Sequence, residues 1–124
     1  MLKTGGCHCG AVKFEVNISE NPVVAECNCS ICSKSGYLHL KVHAESFRLV
    51  SGKEFITTYT FNTGVAQHYF CKICGIKSFY VPRSNPEGFS VNFRCLDNAE
   101  NIEYSLKHLD GKNWKKHAVE FQKN

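Results

Sequence analysis

Seven of the eight cysteines lie in close groups, and this spacing is typical of metal ligands. Zinc in structural sites takes four tetrahedral ligands, and short segments that carry two thiolates each supply them economically. Secreted domains held by disulfides rarely space their cysteines so closely, so the pattern favours metal binding over a disulfide framework. The groups are Cys7-x-Cys9, Cys27-x-Cys29-x-x-Cys32 and Cys71-x-x-Cys74.

The two cysteine pairs together supply four sulfurs, which predicts a closed structural zinc site. The site would join segments about sixty residues apart and would restrict the unfolded chain as a long-loop crosslink does. Lys72 and Lys77 either offset the negative charge of four thiolates or face the solvent. The alternative for the four cysteines is burial or redox activity without a metal. Each pair precedes a glycine that permits a tight turn: Cys7 and Cys9 before Gly10, and Cys71 and Cys74 before Gly75.

The cysteine triplet supplies three ligands and leaves a fourth position undetermined, which is the pattern of a catalytic zinc site. The residues themselves leave the fourth ligand open among water, a substrate, Cys95 and a histidine, either His39 or His68. Cys95 has an equally good interpretation as a small apolar residue packed beside Phe93 and Leu96. The triplet consists of Cys27, Cys29 and Cys32.

Alternating apolar residues predict an all-β domain with little helix. The clearest strand covers residues 11–18, where Val12, Phe14, Val16 and Ile18 share one face. Antiparallel sheets are the natural host for such strands. The composition, 43% hydrophobic with nine Phe and five Tyr, provides a core for a single domain over residues 1–124. Weaker alternation occurs at residues 38–42, 47–49, 55–61 and 89–93; residues 82–88 are expected to form a loop, and residues 30–34 and 111–119 are weakly helical.

Composition and charge exclude several classes of function. Every apolar run is interrupted well before the roughly 18 residues that a membrane span requires. The formal charge of +4 is concentrated near Lys107 to Lys123 without a dense basic stripe, so nucleic-acid binding is not expected. The first residues lack the apolar core of a secretory signal, which predicts a cytoplasmic protein, or a nuclear one in a eukaryote, with reduced thiols. The sequence carries no signal for an oligomeric state.

The sequence resembles the family of glutathione-dependent formaldehyde-activating enzymes, which includes the centromere protein V group. The resemblance covers most of residues 5–97, and the segments 57–63, 80–86 and 95–97 are similar to the centromere protein V branch in particular. The motifs that carry the family resemblance are Gly6-Cys7-His8-Cys9-Gly10, Cys27-Asn28-Cys29-Ser30-Ile31-Cys32 and Phe70-Cys71-Lys72-Ile73-Cys74-Gly75.

The resemblance implies an Mss4-like zinc-binding fold of antiparallel sheets and two zinc ions per chain. It implies that the cysteine pairs hold a structural zinc and that the triplet holds the catalytic one. The implied reaction joins glutathione and formaldehyde into S-(hydroxymethyl)glutathione, which is a carbon–sulfur lyase activity. We expect the triplet to activate the thiol. Five residues are candidates for placing the substrate: Tyr37, His39, His68, Tyr80 and Arg83.

A second hypothesis is a non-catalytic zinc module that binds another protein or chromatin, as the centromere protein V similarity permits. Fold-level likeness does not decide between an enzyme and such a module. A measurement of catalytic activity would separate the two hypotheses.

Overall fold

The computed structural model describes residues 1–113, which form ten β-strands and one short α-helix with several 3-10 turns. The helix, α1, spans Ser30–Ser35, as the sequence predicts, and ends at Gly36 in a left-handed conformation. No helix in this range is long and apolar enough to cross a membrane. The strands are β1 (Leu2–Gly6), β2 (Lys13–Asn17), β3 (Val23–Cys27), β4 (Leu38–His43), β5 (Phe47–Ser51), β6 (Ile56–Tyr59), β7 (Gln67–Cys71), β8 (Phe79–Val81), β9 (Gly88–Asn92) and β10 (Ser105–Leu109).

The strands form two sheets. The smaller sheet has three antiparallel strands in the order β1-β2-β5, and the larger has seven in the order β10-β3-β4-β9-β8-β7-β6. The expectation of antiparallel sheets holds for every pairing except one, because β10 runs parallel to β3 along the edge. This parallel pair brings the end of β10 beside Cys27, where β3 ends. The sequence did not indicate any parallel pairing.

The seven-stranded sheet separates apolar from chemically active side chains by strand alternation. On β4, Leu38 and Leu40 pack in the main hydrophobic core, whereas His39 and Lys41 alternate with them in the sequence and point to the other face. On that other face, Lys41 pairs in register with Ser90 of β9, Ser90 with Tyr80 of β8, and Tyr80 with His68 of β7. Polar and aromatic residues from four neighbouring strands therefore form one row across the sheet.

Aromatic rings join the two sheets in the main core. Phe14 of β2 is 1% exposed, and its ring centroid lies 5.4 Å from that of Phe47 on β5 and 6.4 Å from that of Phe79 on β8. Phe47 also lies 4.6 Å from Phe89 at the start of β9. Aromatic pairs at these separations add to the free energy of simple apolar burial. The small sheet is thus fixed against the core face of the large one.

The structure confirms the predicted strands at residues 11–18, 38–42, 47–49 and 89–93, with shifted ends. In the predicted strand at 55–61, a 3-10 turn (Lys53–Phe55) leads into β6. The loop expected at residues 82–88 is present at 82–87, because Gly88 already belongs to β9. The strands that the alternation did not reveal are β1, β3, β7, β8 and β10. Of the weakly helical segment at 111–119, only the 3-10 turn Gly111–Asn113 lies within the described residues. The remainder lies outside them.

Substitution of Phe14 tests the packing of the aromatic core. We expect Phe14→Ala to lower the free energy of unfolding by about 3–5 kcal/mol, because it removes a fully buried ring that contacts both sheets. Leu2→Ala is the control, since Leu2 is 63% exposed, and it should cost less than about 1 kcal/mol. Urea unfolding of the zinc-loaded proteins measures both changes. A loss of similar size in the two variants would contradict this description of the core.

Candidate functional site

The two cysteine pairs meet in the structure as the sequence predicts. Their four sulfur atoms lie within 4.8 Å of one another. The sulfurs of Cys7 and Cys9 are 3.7 Å apart, and those of Cys9 and Cys71 are 3.6 Å apart. Four sulfurs at about 2.3 Å from one tetrahedral zinc would be separated by about 3.8 Å, so the arrangement fits the ion. We call these four residues, Cys7, Cys9, Cys71 and Cys74, the closed site.

Backbone amides support the sulfurs of the closed site. The N–H of Val12 donates to the sulfur of Cys7 at 3.3 Å, and the N–H of Ile73 donates to that of Cys71 at 3.4 Å. Burial opposes ionisation of Cys74, but backbone N–H groups, that of Cys9 first, outweigh it and lower the pKa of this thiol to about 6. Such donors stabilise the thiolates that a metal requires.

The glycines that follow the two pairs adopt the turn that the sequence suggested. Gly10 has φ of +83° and Gly75 has φ of +77°, a region that disfavours residues with a Cβ. The amide of each glycine donates to the carbonyl of the first cysteine in its pair, Cys7 or Cys71. The two turns are therefore built alike. One follows β1 and the other follows β7, so the closed site links the two sheets.

The cysteine triplet forms a second group, in which three sulfurs again lie within 4.8 Å of one another. Cys27 ends β3, Cys29 precedes α1, and Cys32 lies within that helix. Hydrogen bonds from Cys27 and then Cys32 lower the pKa of Cys29, whereas the pKa of Cys27 is raised, first by its bond to Cys29, and that of Cys32 is raised, first by its bond to Cys27. The three thiols are thus close enough to share hydrogen bonds with one another. We call Cys27, Cys29 and Cys32 the open site.

Cys95 does not join the open site. It lies in the 3-10 turn after β9, and the neighbouring Leu96 forms a bridge with Gly5 of β1, the strand that leads to the closed site. Burial and then the charges of Cys7 and Cys74 raise the pKa of its thiol to about 11. The geometry therefore favours a protonated, packed cysteine beside the closed site over a fourth ligand of the open one. All eight cysteines are free thiols, which argues against a disulfide framework.

A cavity of about 390 Å³ opens beside the open site. The three cysteines line it together with His68 and Tyr80, which belong to the row across the sheet, and with His39 of β4. Lys41, Arg83 and Lys112 also line it and give it positive charge. Such a cavity, apolar in part and with a few converging polar groups, is the usual form of a small-molecule site.

Both cavity histidines are buried and neutral near pH 7. Burial and then the charge of Lys77 lower the pKa of His39 to about 3 and that of His68 to about 4. The Nδ1 atom of His39 lies 3.0 Å from the hydroxyl of Tyr80 and 3.2 Å from that of Ser90. The Nε2 atoms of both rings have no hydrogen-bond partner among residues 1–113. Each ring therefore has one edge held and one edge left available.

Of the five residues expected to place a substrate, four line the cavity and Tyr37 does not. Tyr37 is 1% exposed, and its hydroxyl donates to the carbonyl of Ser90 at 2.6 Å. Burial raises the pKa of the Tyr37 hydroxyl well above its usual value. Its ring centroid lies 4.6 Å from that of His39, so Tyr37 packs against this histidine. The prediction that Tyr37 contacts the substrate finds no support.

Lys77 also differs from its prediction. It is 4% exposed, so it does not face the solvent, and its ammonium lies 2.7 Å from Nδ1 of His68 rather than at the closed site. Burial lowers the pKa of Lys77 to about 8, and the charges of Cys32 and then Cys29 work in the opposite direction. Lys72, in contrast, is exposed. Lys77 thus lies behind His68, a residue that lines the cavity, and not at the closed site.

Two residues that support the open site, Asn28 and Gly111, were not predicted from the sequence. The side chain of Asn28 donates to Asp110 at 3.0 Å and accepts from the N–H of Lys112 at 3.1 Å, so it holds the segment after β10 against the open site. A Cβ on Gly111 would lie 2.4 Å from the sulfur of Cys27, so only glycine fits there. The position of Asn28 between two ligand cysteines was the available signal. Gly111 gave none, because it depends on the parallel pairing of β10.

Two known proteins are similar to this chain. A protein of Halomonas elongata, whose name assigns it provisionally to the glutathione-dependent formaldehyde-activating enzymes, is 37% identical over 84 residues, or 60% of this chain. That match spans 52% of the relative, so the chain corresponds to about half of its length. A crystal structure of a Rhodobacter sphaeroides protein is 35% identical, with a TM-score of 0.73, and the match covers 84% of this chain and 99% of that one.

The comparisons name no centromere protein V relative, so they do not assign the chain to that branch. The family model for "Glutathione-dependent formaldehyde-activating enzyme" matches residues 2–109, which include both cysteine sites and nearly all lining residues of the cavity. On this match, the chain belongs to the glutathione-dependent formaldehyde-activating enzyme family.

Proposed function

We propose that this protein is a zinc-dependent carbon–sulfur lyase that joins glutathione and formaldehyde into S-(hydroxymethyl)glutathione. The observation that carries the proposal is a group of three thiols, rather than four, beside a cavity of about 390 Å³. Three protein ligands and access for a small molecule are the features of a catalytic zinc site. The cavity favours an enzyme over a module that only binds another macromolecule.

The zinc ions have separate roles in this proposal. Cys7, Cys9, Cys71 and Cys74 hold the first ion, which fixes the two sheets, and Cys27, Cys29 and Cys32 hold the second. When bound there, the second zinc acts as a Lewis acid and lowers the pKa of an incoming thiol. These thiols require a reducing setting, so we place the protein in the cytoplasm.

The cavity residues bind and orient the two reactants. Glutathione carries two carboxylates, which suit the cationic side chains of Lys41, Arg83 and Lys112. His39, His68 and Tyr80 surround the space left for the aldehyde. Because formaldehyde is a strong electrophile, orientation and one hydrogen-bond donor suffice. The thiol sulfur forms a bond to the carbonyl carbon, and the C=O π bond breaks as its electron pair moves to oxygen. The oxygen then takes up a proton, which balances the proton that the thiol loses.

Cys29→Ser tests the reaction. We expect the variant to retain one zinc ion per chain and to lose at least about 100-fold in catalysed rate, because only the open site loses a ligand. Exchange NMR with ¹³C-formaldehyde and glutathione measures the rate, after subtraction of the rate without protein. Cys95→Ser makes the same chemical change outside both sites and should retain two zinc ions and the activity. The proposal fails if the wild type matches the uncatalysed rate.

Cys7→Ser tests the division of labour between the sites. It should lower the melting temperature more than Cys29→Ser does, because Cys7 belongs to a closed site that links distant segments whereas the three open-site ligands come from one loop. Differential scanning calorimetry of the zinc-loaded variants measures the difference. Equal losses of stability would refute the assignment of one structural and one catalytic site.

A further inference from the structure

Lys77 is an unusual residue to find in the interior, and its contacts connect it to the cavity. Lysine is almost never fully buried unless it has a partner. The ammonium nitrogen of Lys77 lies 2.7 Å from Nδ1 of His68, 3.9 Å from the ring centroid of Tyr80 and 4.8 Å from that of Tyr37. Two aromatic faces therefore surround the cation, and its hydrogen bond points at the histidine.

The backbone that carries Lys77 is itself fixed. The side chain of Asn92 donates to the carbonyl of Lys77 at 3.1 Å, and the N–H of Asn92 donates to the carbonyl of Ser78 at 2.9 Å. Asn92 is 8% exposed and ends β9. Asn92 thus holds the backbone of Lys77, the residue whose side chain contacts His68.

The contact determines which ring nitrogen of His68 carries the proton. An ammonium group only donates hydrogen bonds, so Nδ1 must accept and the ring proton must reside on Nε2. His68 is 3% exposed, and its ring lies between Phe61 at 5.5 Å and Tyr80 at 4.9 Å, in nearly parallel stacks. The two stacked rings hold the plane of the His68 ring, and the contact with Lys77 holds its Nδ1 edge.

The other edge of the same ring has nothing to bind within the described chain. Nε2 of His68 is buried and has no hydrogen-bond partner among residues 1–113, and His68 lines the cavity beside the open site. A buried donor without a partner is destabilising, and a ligand that supplies the acceptor removes that cost. The oxygen of a carbonyl compound is such an acceptor, and its demand for a donor grows as negative charge develops during thiol addition.

We propose that Lys77 is a positioning residue that holds His68 with its Nε2–H directed into the cavity, where that group donates to the carbonyl oxygen of the aldehyde. His68 is then the catalytic residue, because it touches the reacting oxygen, and Lys77 acts through it. This inference rests on the proposed function for its substrate, whereas the contact between Lys77 and His68 stands on geometry alone.

Four variants test the proposal. Lys77→Met keeps most of the length of the side chain and removes the donor, whereas Lys77→Gln keeps a donor. His68→Phe keeps the stacked ring, and the fourth variant combines Lys77→Met with His68→Phe. Lys72→Met is the matched control, because Lys72 is exposed and lies five positions earlier. Histidine-ring ¹H–¹⁵N correlation spectra of zinc-loaded protein report the tautomer, and the spectrum of His68→Phe identifies the His68 signals. The exchange NMR assay reports catalysis.

We expect wild-type His68 to carry its proton on Nε2, and Lys77→Met to give mixed tautomers with about a tenfold lower kcat/KM. His68→Phe should lose about 100-fold, as for removal of one oxyanion donor. Adding Lys77→Met to it should cause no further loss. Lys77→Gln should keep the tautomer and most of the rate, and Lys72→Met should change neither.

Three results would overturn the proposal. They are a wild-type proton on Nδ1 of His68, ring signals that are unchanged in Lys77→Met, and an equal loss of rate from Lys77→Met with and without His68. The wild-type spectrum decides the first point even if a variant fails to fold. If the wild type does not accelerate the reaction, the proposed function fails, and the tautomer still supports or refutes the contact between Lys77 and His68.

Discussion

Side chains that follow one another along a β-strand point to opposite faces of the sheet, and the large sheet of this protein uses both faces. Leu38 and Leu40 face the core that the small sheet covers, while His39 and Lys41 face the cavity. A shift of one residue in the pairing of β4 would exchange the two sets and would destroy core and cavity together. The cavity residues that β4 contributes, His39 and Lys41, therefore depend on the same register that buries the core.

The sulfur groups act on this framework at two points. The closed site joins the turn after β1 to the turn after β7, which the sequence separates by about sixty residues, so a bound metal stabilises the docking of the sheets. The open site uses ligands from one connection, between the end of β3 and α1, and so contributes less to holding distant parts together. It is placed instead by Asn28 and by the segment after β10. A site held in this way can leave room for a ligand at its open side.

The sequence revealed those parts of the site whose spacing is local. The cysteine knuckles, the glycine turns and the helix at Ser30–Ser35 all follow from residues close together in the chain. The strands β2, β4 and β9 were visible because long apolar residues alternate with polar ones. In contrast, β8 has only three residues, and β10 pairs in parallel with a strand some eighty positions earlier, so neither leaves a local pattern. The roles of Lys77 and Gly111 could not be predicted for the same reason, since each is defined by a neighbour from another part of the chain.

We propose that seven sulfurs hold two zinc ions, four at a saturated site and three at a site open to a thiol. X-ray absorption at the zinc edge, combined with metal analysis, measures the number and type of neighbours around each ion. We expect two ions per chain with between three and four sulfurs each on average, and a rise towards four when glutathione is added. One ion per chain, or neighbours that are mainly nitrogen and oxygen, would contradict it.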